Sequence, residues 1–328
     1  MSRFEESMTV NIIGDPPRVD RIITSLYSFD RAFGNKAGVI GFPIGTAIEI
    51  SGPTFCGKST LVFGLSGMIA AQNKTNIVLA DFEGFDPDFL ETILEQSKFS
   101  GDIQVVQKDK DEETLDTLLD ILKKKDYSIG ILDSIAAISP VSESTGDLGE
   151  ANMGRRAKLM AQFSRKAVHQ LRFSGKSLFM INHVHPNLGS MGTTTPGGET
   201  VKYLSAVRIR MKRKEEFKDQ SYAIEGKVVK NRFGYRDKQF YIIMLAGTGI
   251  HLGLSAMYDC FLFGLAERGK IVKIDGKSHG YLKTFFEEAH KGNNQVFDPF
   301  HELIENAKSN NNIEPADDTE GDLEDTED

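Results

Sequence analysis

Residues 52–60 read GPTFCGKST, between the apolar run AIEIS at 47–51 and the helical pattern LVFGLSGMIAA. This is a full match to the glycine-rich loop that binds phosphates between a strand and a helix. Glycines let backbone N–H groups surround the phosphates, Lys58 reaches the outer phosphates, and Ser59 can ligate Mg²⁺. A chance glycine loop is the alternative, and the flanking elements argue against it. The predicted ATP-binding residues of this loop are Gly52, Pro53, Thr54, Phe55, Cys56, Gly57, Lys58, Ser59 and Thr60.

Short apolar runs alternate with helical patterns along the chain. NIVLADFE at 76–83, SIGILDS at 128–134 and SLFMINH at 177–183 are typical of buried parallel strands. The pattern predicts an α/β fold with a mostly parallel twisted sheet flanked by helices. Three later runs predict further strands of the same sheet: RIRMK at 208–212, KVVKN at 227–231 and QFYIIML at 239–245.

The amino-acid composition limits which classes of protein the chain can belong to. The 328 residues are 40% hydrophobic and 26% charged, as in ordinary globular proteins. No uncharged apolar run is long enough to cross a bilayer, and the N-terminal MSRFEESMTV does not resemble a secretory signal. We therefore expect a cytoplasmic protein with no membrane contact. Two cysteines indicate no disulfide framework.

Charge is unevenly distributed along the chain. The net charge is −8, but residues 314–328 hold nine acidic residues and no Lys or Arg, so the remainder carries +1. Residues 153–176 hold seven basic residues and no acidic one, which predicts an anion-binding face. We expect four parts: an N-terminal segment over 1–20 that is a possible subunit latch, an ATPase core over 21–250, a small C-terminal subdomain over 251–308, and a disordered acidic tail over 309–328.

Acidic residues stand at the ends of two predicted strands. Asp133 follows an apolar run, as expected for a carboxylate that organises Mg²⁺ beside the phosphate loop. Asp81 and Glu83 end the preceding strand, and their spacing places both on one face. Either acid alone could cap a loop. Together with the phosphate loop, they indicate an ATPase site.

The run DSIAAISPVSESTGDLGEANMG at 133–154 resembles the RecA/RadA recombinase family, from its Mg²⁺ aspartate through its first DNA-binding loop. The match continues in order through MINH, TTTPGGETVKYLSAVRIR, KVVKNRFG and GTGIHLG. It covers most of residues 22–290. The resemblance implies a RecA-type P-loop NTPase core in which Glu83 activates the attacking water. It also implies that Asp86 and Phe89 hold the adenine, although a core position is an alternative for Phe89.

The basic stretch after this loop has a helical pattern. One face is polar and the other apolar. The polar stripe comprises Lys158, Gln162, Arg165, His169 and Arg172, and the apolar side comprises Leu159 or Met160, Phe163, Ala167 and Leu171. A solvated outer face is the alternative. The resemblance implies that Met153, Lys158 and Arg165 lie near the DNA backbone, with salt-dependent binding.

The segment HPNLGSMGTTTPGGETVK at 185–202 predicts a mobile loop. A disordered surface loop without a function is one alternative. The resemblance implies instead that this segment is the second DNA-binding loop. In that loop Leu188 would wedge between bases, while Gly197 and Gly198 would offer backbone N–H groups to phosphate.

Two residues depart from the family pattern. His183 stands where the family usually has a Gln that senses the γ-phosphate, and a structural role is its alternative. Histidine can also donate a hydrogen bond. Glu199 replaces a neutral amide and would repel DNA phosphate unless it is paired.

Lys230 and Arg232 alternate along a predicted strand and project from one face. Ordinary surface charge is one interpretation. The resemblance implies that they reach the ATP of a neighbouring subunit, in a head-to-tail assembly that forms a helical filament or a ring. The expected catalytic set is then Glu83, Lys58, Lys230 and Arg232.

The sequence thus predicts a DNA-dependent ATPase that uses ATP and Mg²⁺. As a recombinase it would form filaments on single-stranded DNA, exchange strands with double-stranded DNA, and meet loading or single-strand-binding proteins. A ring-forming helicase or clock-type ATPase, and an accessory DNA-binding protein, are the alternatives. Intact Lys58, Glu83 and Asp133 argue against an accessory protein.

Overall fold

The computed structural model describes residues 20–140, 153–171, 174–186 and 193–309. The strands are β1 Arg21–Ile22, β2 Phe42–Pro43, β3 Ala47–Gly52, β4 Asn76–Asp81, β5 Ile103–Val106, β6 Tyr127–Asp133, β7 Ser177–His183, β8 His185–Pro186, β9 Thr193–Thr194, β10 Val207–Glu216, β11 Tyr222–Asn231, β12 Gln239–Leu245, β13 Gly249–Ile250, β14 Ile271–Ile274 and β15 Lys277–Tyr281. The α-helices are α1 Tyr27–Ala32, α2 Lys58–Asn73, α3 Pro87–Gln96, α4 Asp111–Lys123, α5 Met153–Leu171, α6 Gly198–Leu204, α7 Leu252–Leu262, α8 Leu282–His290 and α9 Asp298–Ser309.

The principal sheet of the described residues has nine strands in the order β13-β12-β11-β10-β3-β7-β6-β4-β5. The pairs from β5 to β10 are parallel, and those from β10 to β13 are antiparallel. The predicted mostly parallel sheet is therefore confirmed, as is its extension by the later strands. Register places Gly52 beside His183, and Asp81 beside Asp133. The predicted site residues thus meet where parallel strands end.

Both faces of the sheet are covered. Apolar residues of β3, β4, β6 and β7 alternate, so that one set packs under α2 and α3 and the other under α4 and α5. Phe29, Phe33, Phe42 and Phe240 are fully buried, and neighbouring ring centroids lie 4.8 to 5.1 Å apart. Aromatic contacts of this kind add to the stabilisation from buried area. They join α1 to the sheet.

Residues after the last sheet strand pack on the antiparallel half of the same sheet. Tyr241 and Ile243 share one apolar cluster with α7, α8 and α9. At this contact the carboxylate of Asp259 in α7 accepts a hydrogen bond from the backbone N–H of Ser28 at 2.9 Å. Complete burial raises the pKa of Asp259 to about 7. None of the helices in the described ranges is long and apolar enough to span a membrane.

Candidate nucleotide site and its neighbours

The loop between β3 and α2 has the backbone of a phosphate-binding loop. Phe55 and Gly57 adopt positive φ values of 59° and 83°, and Gly57 caps α2. Only glycine fits at position 52, because a Cβ on Gly52 would lie 2.5 Å from the carbonyl oxygen of Met211. Lys58 is buried, and its Nζ donates to the carbonyl oxygen of Pro53 at 2.7 Å. Contacts within the chain therefore shape the loop backbone.

Cys56 is a buried free thiol inside this loop. Burial is the largest influence on its ionisation and raises the pKa of the thiol. A thiol that stays protonated is a poor nucleophile and a poor metal ligand. Cys56 therefore serves as a small buried side chain, in line with the predicted role of its backbone N–H.

Asp133 meets the requirements of a Mg²⁺ carboxylate. Burial raises its pKa to about 6, and the nearby Glu83 and Asp81 act in the same direction, while a hydrogen bond with Ser59 lowers it. Its Oδ1 is buried and has no hydrogen-bond partner within the described ranges. A cation would satisfy that oxygen and favour the ionised form. Ser59 and Asp133 therefore fit a magnesium ion.

The two acids at the end of β4 have different positions, and the prediction that they share one face of a strand is wrong. The strand ends at Asp81, and the chain turns before Glu83. Asp81 is buried and caps this turn, accepting from the backbone N–H of Gly84 at 3.0 Å and from Gln107 Nε2 at 2.6 Å. Glu83 is exposed to the cleft instead, because the turn frees it from the strand.

Glu83 has two partners at the head of the cleft. The hydroxyl of Ser134 donates to Glu83 Oε1, and His183 Nε2 lies 3.0 Å from the same oxygen. Glu83 remains 38% exposed, so its carboxylate is accessible from solvent. The structure therefore brings His183 to the predicted catalytic acid.

The loop, Glu83 and His183 open onto one cleft of about 350 Å³. Its lining residues are Thr54, Phe55, Gly57, Lys58, Ser59, Thr60, Glu83, Phe89, Ile181, His183, Arg213 and Tyr222. Phe89 is 36% exposed, so it is not a core aromatic. The carboxylate of Asp86 caps α3, accepting from Asp88 N at 3.0 Å and Phe89 N at 3.3 Å. Adenine binding by Asp86 and Phe89 remains a prediction.

Besides Ile181 of β7, sequence reasoning missed two polar residues of this cleft, Arg213 and Tyr222. They come from β10 and β11, which carry none of the motif residues of the phosphate loop. The alternation of buried and exposed side chains along β10 could have indicated Arg213. This residue falls on the face that is otherwise formed by the buried Ile209 and Met211. A cation on an apolar face needs an anion or an acceptor nearby.

A buried polar network lies behind the cleft. Glu49 in β3 is fully buried and pairs with Arg208 Nε. Asn182 Nδ2 donates to Glu49 Oε1 and to the carbonyl oxygen of Pro196, both at 2.9 Å. The network connects the strand that precedes the phosphate loop to the segment that precedes Gly197. Asn182 is adjacent to His183, so both ends meet at the tip of β7.

The predicted amphipathic basic helix is confirmed as α5. Met160, Phe163, Ala167 and Leu171 are buried in the core. Lys158, Gln162, Arg165 and His169 are exposed. DNA contact by Lys158 and Arg165 stays a prediction. Residues 141–152, the side chain of Met153, and Arg172 lie outside the described residues.

The segment 185–202 is only partly the loop that was predicted. His185 pairs with Thr194 in a short β-ladder, and α6 begins at Gly198. Gly197 and Gly198 have φ values of 92° and 72°, which favour glycine. The prediction overlooked that these two glycines start a helix. Leu188 lies outside the described residues.

Glu199 is not left as an unpaired acid. Its carboxylate pairs with Lys202 one turn further along α6. This contact lowers the pKa of Glu199. The pair reduces the repulsion that an isolated carboxylate would exert on phosphate.

Lys230 and Arg232 both point at the C-terminal end of α6. Lys230 Nζ donates to the carbonyl oxygen of Lys202 at 2.5 Å, and Arg232 donates to that of Tyr203 at 2.9 Å. Burial, followed by Arg232 and Arg208, lowers the pKa of Lys230. Within one chain, these cations lie beside the second predicted DNA segment and do not line the cleft around Lys58.

Comparison with known families matches residues 8–251 to the family described as RecA N-terminal domain. The protein named Protein RecA from Leptospira meyeri is 30% identical over 285 residues, covering 80% of this chain and 71% of that protein. Protein RecA from Macrococcus caseolyticus is 29% identical over 84% of this chain and 80% of its own length. Protein RecA from Limosilactobacillus reuteri is 26% identical over 90% of this chain and 82% of its own length.

Proposed function

Because this chain belongs to the RecA family, we propose that it is an ATP-dependent DNA recombinase that assembles on single-stranded DNA and exchanges strands with a duplex. The observation that carries the proposal is the junction at the tip of β7. There His183 contacts Glu83 in the nucleotide cleft, while the adjacent Asn182 contacts Pro196 in the second predicted DNA segment. One strand end therefore contacts both the cleft and the proposed DNA segment.

The proposed reaction is hydrolysis of ATP at the cleft. Glu83 accepts the proton of a water that attacks the γ-phosphorus, and the bond to the ADP oxygen breaks as phosphate is released. Backbone N–H groups of the loop and Lys58 hold the phosphates in position. Bound Mg²⁺ would neutralise phosphate charge, and Ser59 and Asp133 are the residues that would hold it.

DNA is proposed to lie along α5 and the segment that ends in α6. Lys158 and Arg165 are exposed on α5 and would contact phosphates, and Gly197 and Gly198 would offer backbone donors. Lys230 and Arg232 would complete the active site of an adjacent subunit. We assign residues 21–250 to the ATPase core and 251–308 to a smaller subdomain, with 1–20 as a candidate subunit latch.

The test measures ATP hydrolysis with and without single-stranded DNA, at low and high salt. We expect DNA to raise the rate, and the effect to weaken as salt rises, because phosphate contacts are salt-dependent. Equal rates at low salt would contradict the recombinase proposal. Negative-stain images in the same conditions separate the alternatives: filaments on DNA support it, closed rings support a helicase or clock-type ATPase, and coated DNA without turnover supports an accessory protein.

A further inference from the structure

We propose that Arg213, stacked on Tyr222, is a positioning residue that holds the phosphate loop in its binding conformation from within the same subunit. The inference rests on the proposed ATP site. The contact between Arg213 and the loop, called the clamp below, would preorganise that site without any DNA contact.

Arg213 contacts the loop directly. Its Nη2 donates to the carbonyl oxygen of Phe55 at 2.9 Å, and its Nη1 donates to Glu216 Oε2 at 2.8 Å. The guanidinium lies 4.1 Å from the centroid of the Tyr222 ring. A planar guanidinium can make these three contacts at once, whereas an ammonium cannot. Arg213 is therefore held on two sides and directed at one backbone carbonyl.

The carbonyl that Arg213 contacts belongs to a strained residue. Phe55 has a φ of 59°, in the left-handed region that a bulky side chain rarely adopts. Its side chain is 84% exposed, so packing of the ring does not hold this conformation. The hydrogen bond from Arg213 is a contact that compensates for it.

Fixing this carbonyl also orients a donor. In a planar trans peptide, the C=O of Phe55 and the N–H of Cys56 point in opposite directions. Because Arg213 draws the carbonyl to its own side, the N–H of Cys56 is directed away from Arg213. Successive N–H groups beside residues with left-handed backbone form concave anion sites. Arg213 thus fixes one donor of the proposed phosphate cradle.

Tyr222 supports the loop at a second point. A Cβ on Gly57 would lie 3.0 Å from the Tyr222 hydroxyl, so the ring edge is against the loop where α2 begins. Burial is the main cause of a raised pKa of this phenol, and the Arg213 cation opposes it. Arg213 and Tyr222 therefore bracket the loop at Phe55 and Gly57.

The experiment measures the affinity for MgADP, which is not hydrolysed, by calorimetry without DNA. Arg213→Ala should weaken binding on the order of tenfold, because a charge-assisted hydrogen bond that orders the loop is lost. Lys214→Ala is the matched control. It removes one positive charge from the same strand, but its residue pairs with Glu225 and lies outside the cleft. It should leave the affinity within about twofold.

A second background separates positioning from simple charge. Phe55→Gly makes a positive φ inexpensive. In that background Arg213→Ala should weaken MgADP binding about threefold or less. The reason is that glycine at position 55 adopts the positive φ with little strain, so the hydrogen bond from Arg213 has less strain to compensate. Arg213→Lys keeps the charge without the planar fork, and should lose most of the affinity that Arg213→Ala loses. Thermal unfolding verifies that each variant is folded.

Three results would contradict the proposed role of Arg213. The first is that Arg213→Ala binds MgADP as tightly as the natural chain does. The second is that Arg213→Ala loses the same affinity with Phe55 as with Gly at position 55, and the third is that Arg213→Lys keeps full affinity. If Arg213→Ala does not fold, the Lys variant decides alone. Binding of MgADP by the natural chain tests the proposed ATP site, whereas the ratios between variants test the clamp. DNA stimulation tests the recombinase proposal, so its failure would not be mistaken for failure of the clamp.

Discussion

His183 Nε2 and Glu83 Oε1 lie 3.0 Å apart across the head of the nucleotide cleft. The same carboxylate oxygen accepts a hydrogen bond from the hydroxyl of Ser134. Two strand ends, those of β6 and β7, thereby orient an acid that stands on neither strand. A general base must be held within reach of the water that it deprotonates. These contacts would hold Glu83 in place for the proposed role of general base.

Glu83→Gln should lower ATP turnover by about 10²- to 10⁴-fold while leaving ATP affinity nearly unchanged. The amide keeps an oxygen acceptor for Ser134, so the local geometry survives, but it cannot take a proton. Single-turnover hydrolysis and nucleotide binding measure the two quantities. Glu91→Gln, an exposed change on α3, is the control. Turnover that persists in the Glu83 variant would remove Glu83 from the catalytic role.

Catalysis should belong to a contact between subunits. We expect Lys230→Ala/Arg232→Ala protein and Glu83→Gln protein to be inactive alone and to recover activity when mixed. In a mixed filament, some contacts join an intact Glu83 to intact cations, which can stabilise charge on the transferring phosphoryl group. The measurement is ATP hydrolysis on single-stranded DNA at several mixing ratios. Co-assembly without recovery would show that the cations do not complete the active site of a neighbouring subunit.

Asp259 should make stability depend on pH. Its pKa is raised from 3.8 to about 7, so the native state holds a proton that the unfolded chain releases. This contribution to stability is complete below the unfolded pKa and is lost as pH rises through about 7. Asp259→Asn cannot ionise and keeps an oxygen for the Ser28 N–H. Relative to the natural chain, its unfolding free energy should therefore rise between pH 5 and pH 8, by up to about 3 kcal/mol.

Urea unfolding at pH 5, 6, 7 and 8 measures this difference, and taking the difference between two chains cancels the titration of other groups. Glu95→Gln changes an exposed carboxylate and should leave the pH profile as it is. Parallel profiles for the natural chain and Asp259→Asn would mean that Asp259 does not titrate between pH 5 and pH 8.

Deleting residues 314–328 should tighten binding to single-stranded DNA. The nine negative charges of this stretch are not balanced by any Lys or Arg within it. They would compete with DNA for basic surface, and the gain should shrink as salt screens it. Fluorescence anisotropy with labelled DNA at two salt concentrations measures the effect. A neutral stretch of equal length separates charge from length, and unchanged affinity would favour a solubilising role.

The strands and the phosphate loop could be predicted because each is encoded locally. The apolar run at 47–51 and the glycine-containing loop after it can be recognised without knowing which distant residues they contact. The structure places Glu83 in the cleft beside the phosphate loop, but on a turn and not on the predicted strand, because strand periodicity does not reveal the turn that Asp81 caps. Arg213 and Tyr222 were missed for another reason. Only the antiparallel pairing of β10 with β11 brings the two side chains together beside the loop.

The place of β3 in the sheet bears on the order in which the protein is made. Ala47 pairs with Leu178, and Ile48 pairs with Val207, so both neighbours of this strand lie far downstream. On the ribosome, β4, β5 and β6 can pair with one another while β3 has no partner. Strand pairs between residues so far apart in the sequence form slowly. The phosphate loop, translated early, thus reaches its final surroundings only after most of the chain has emerged, and a nascent chain shorter than that should not bind nucleotide.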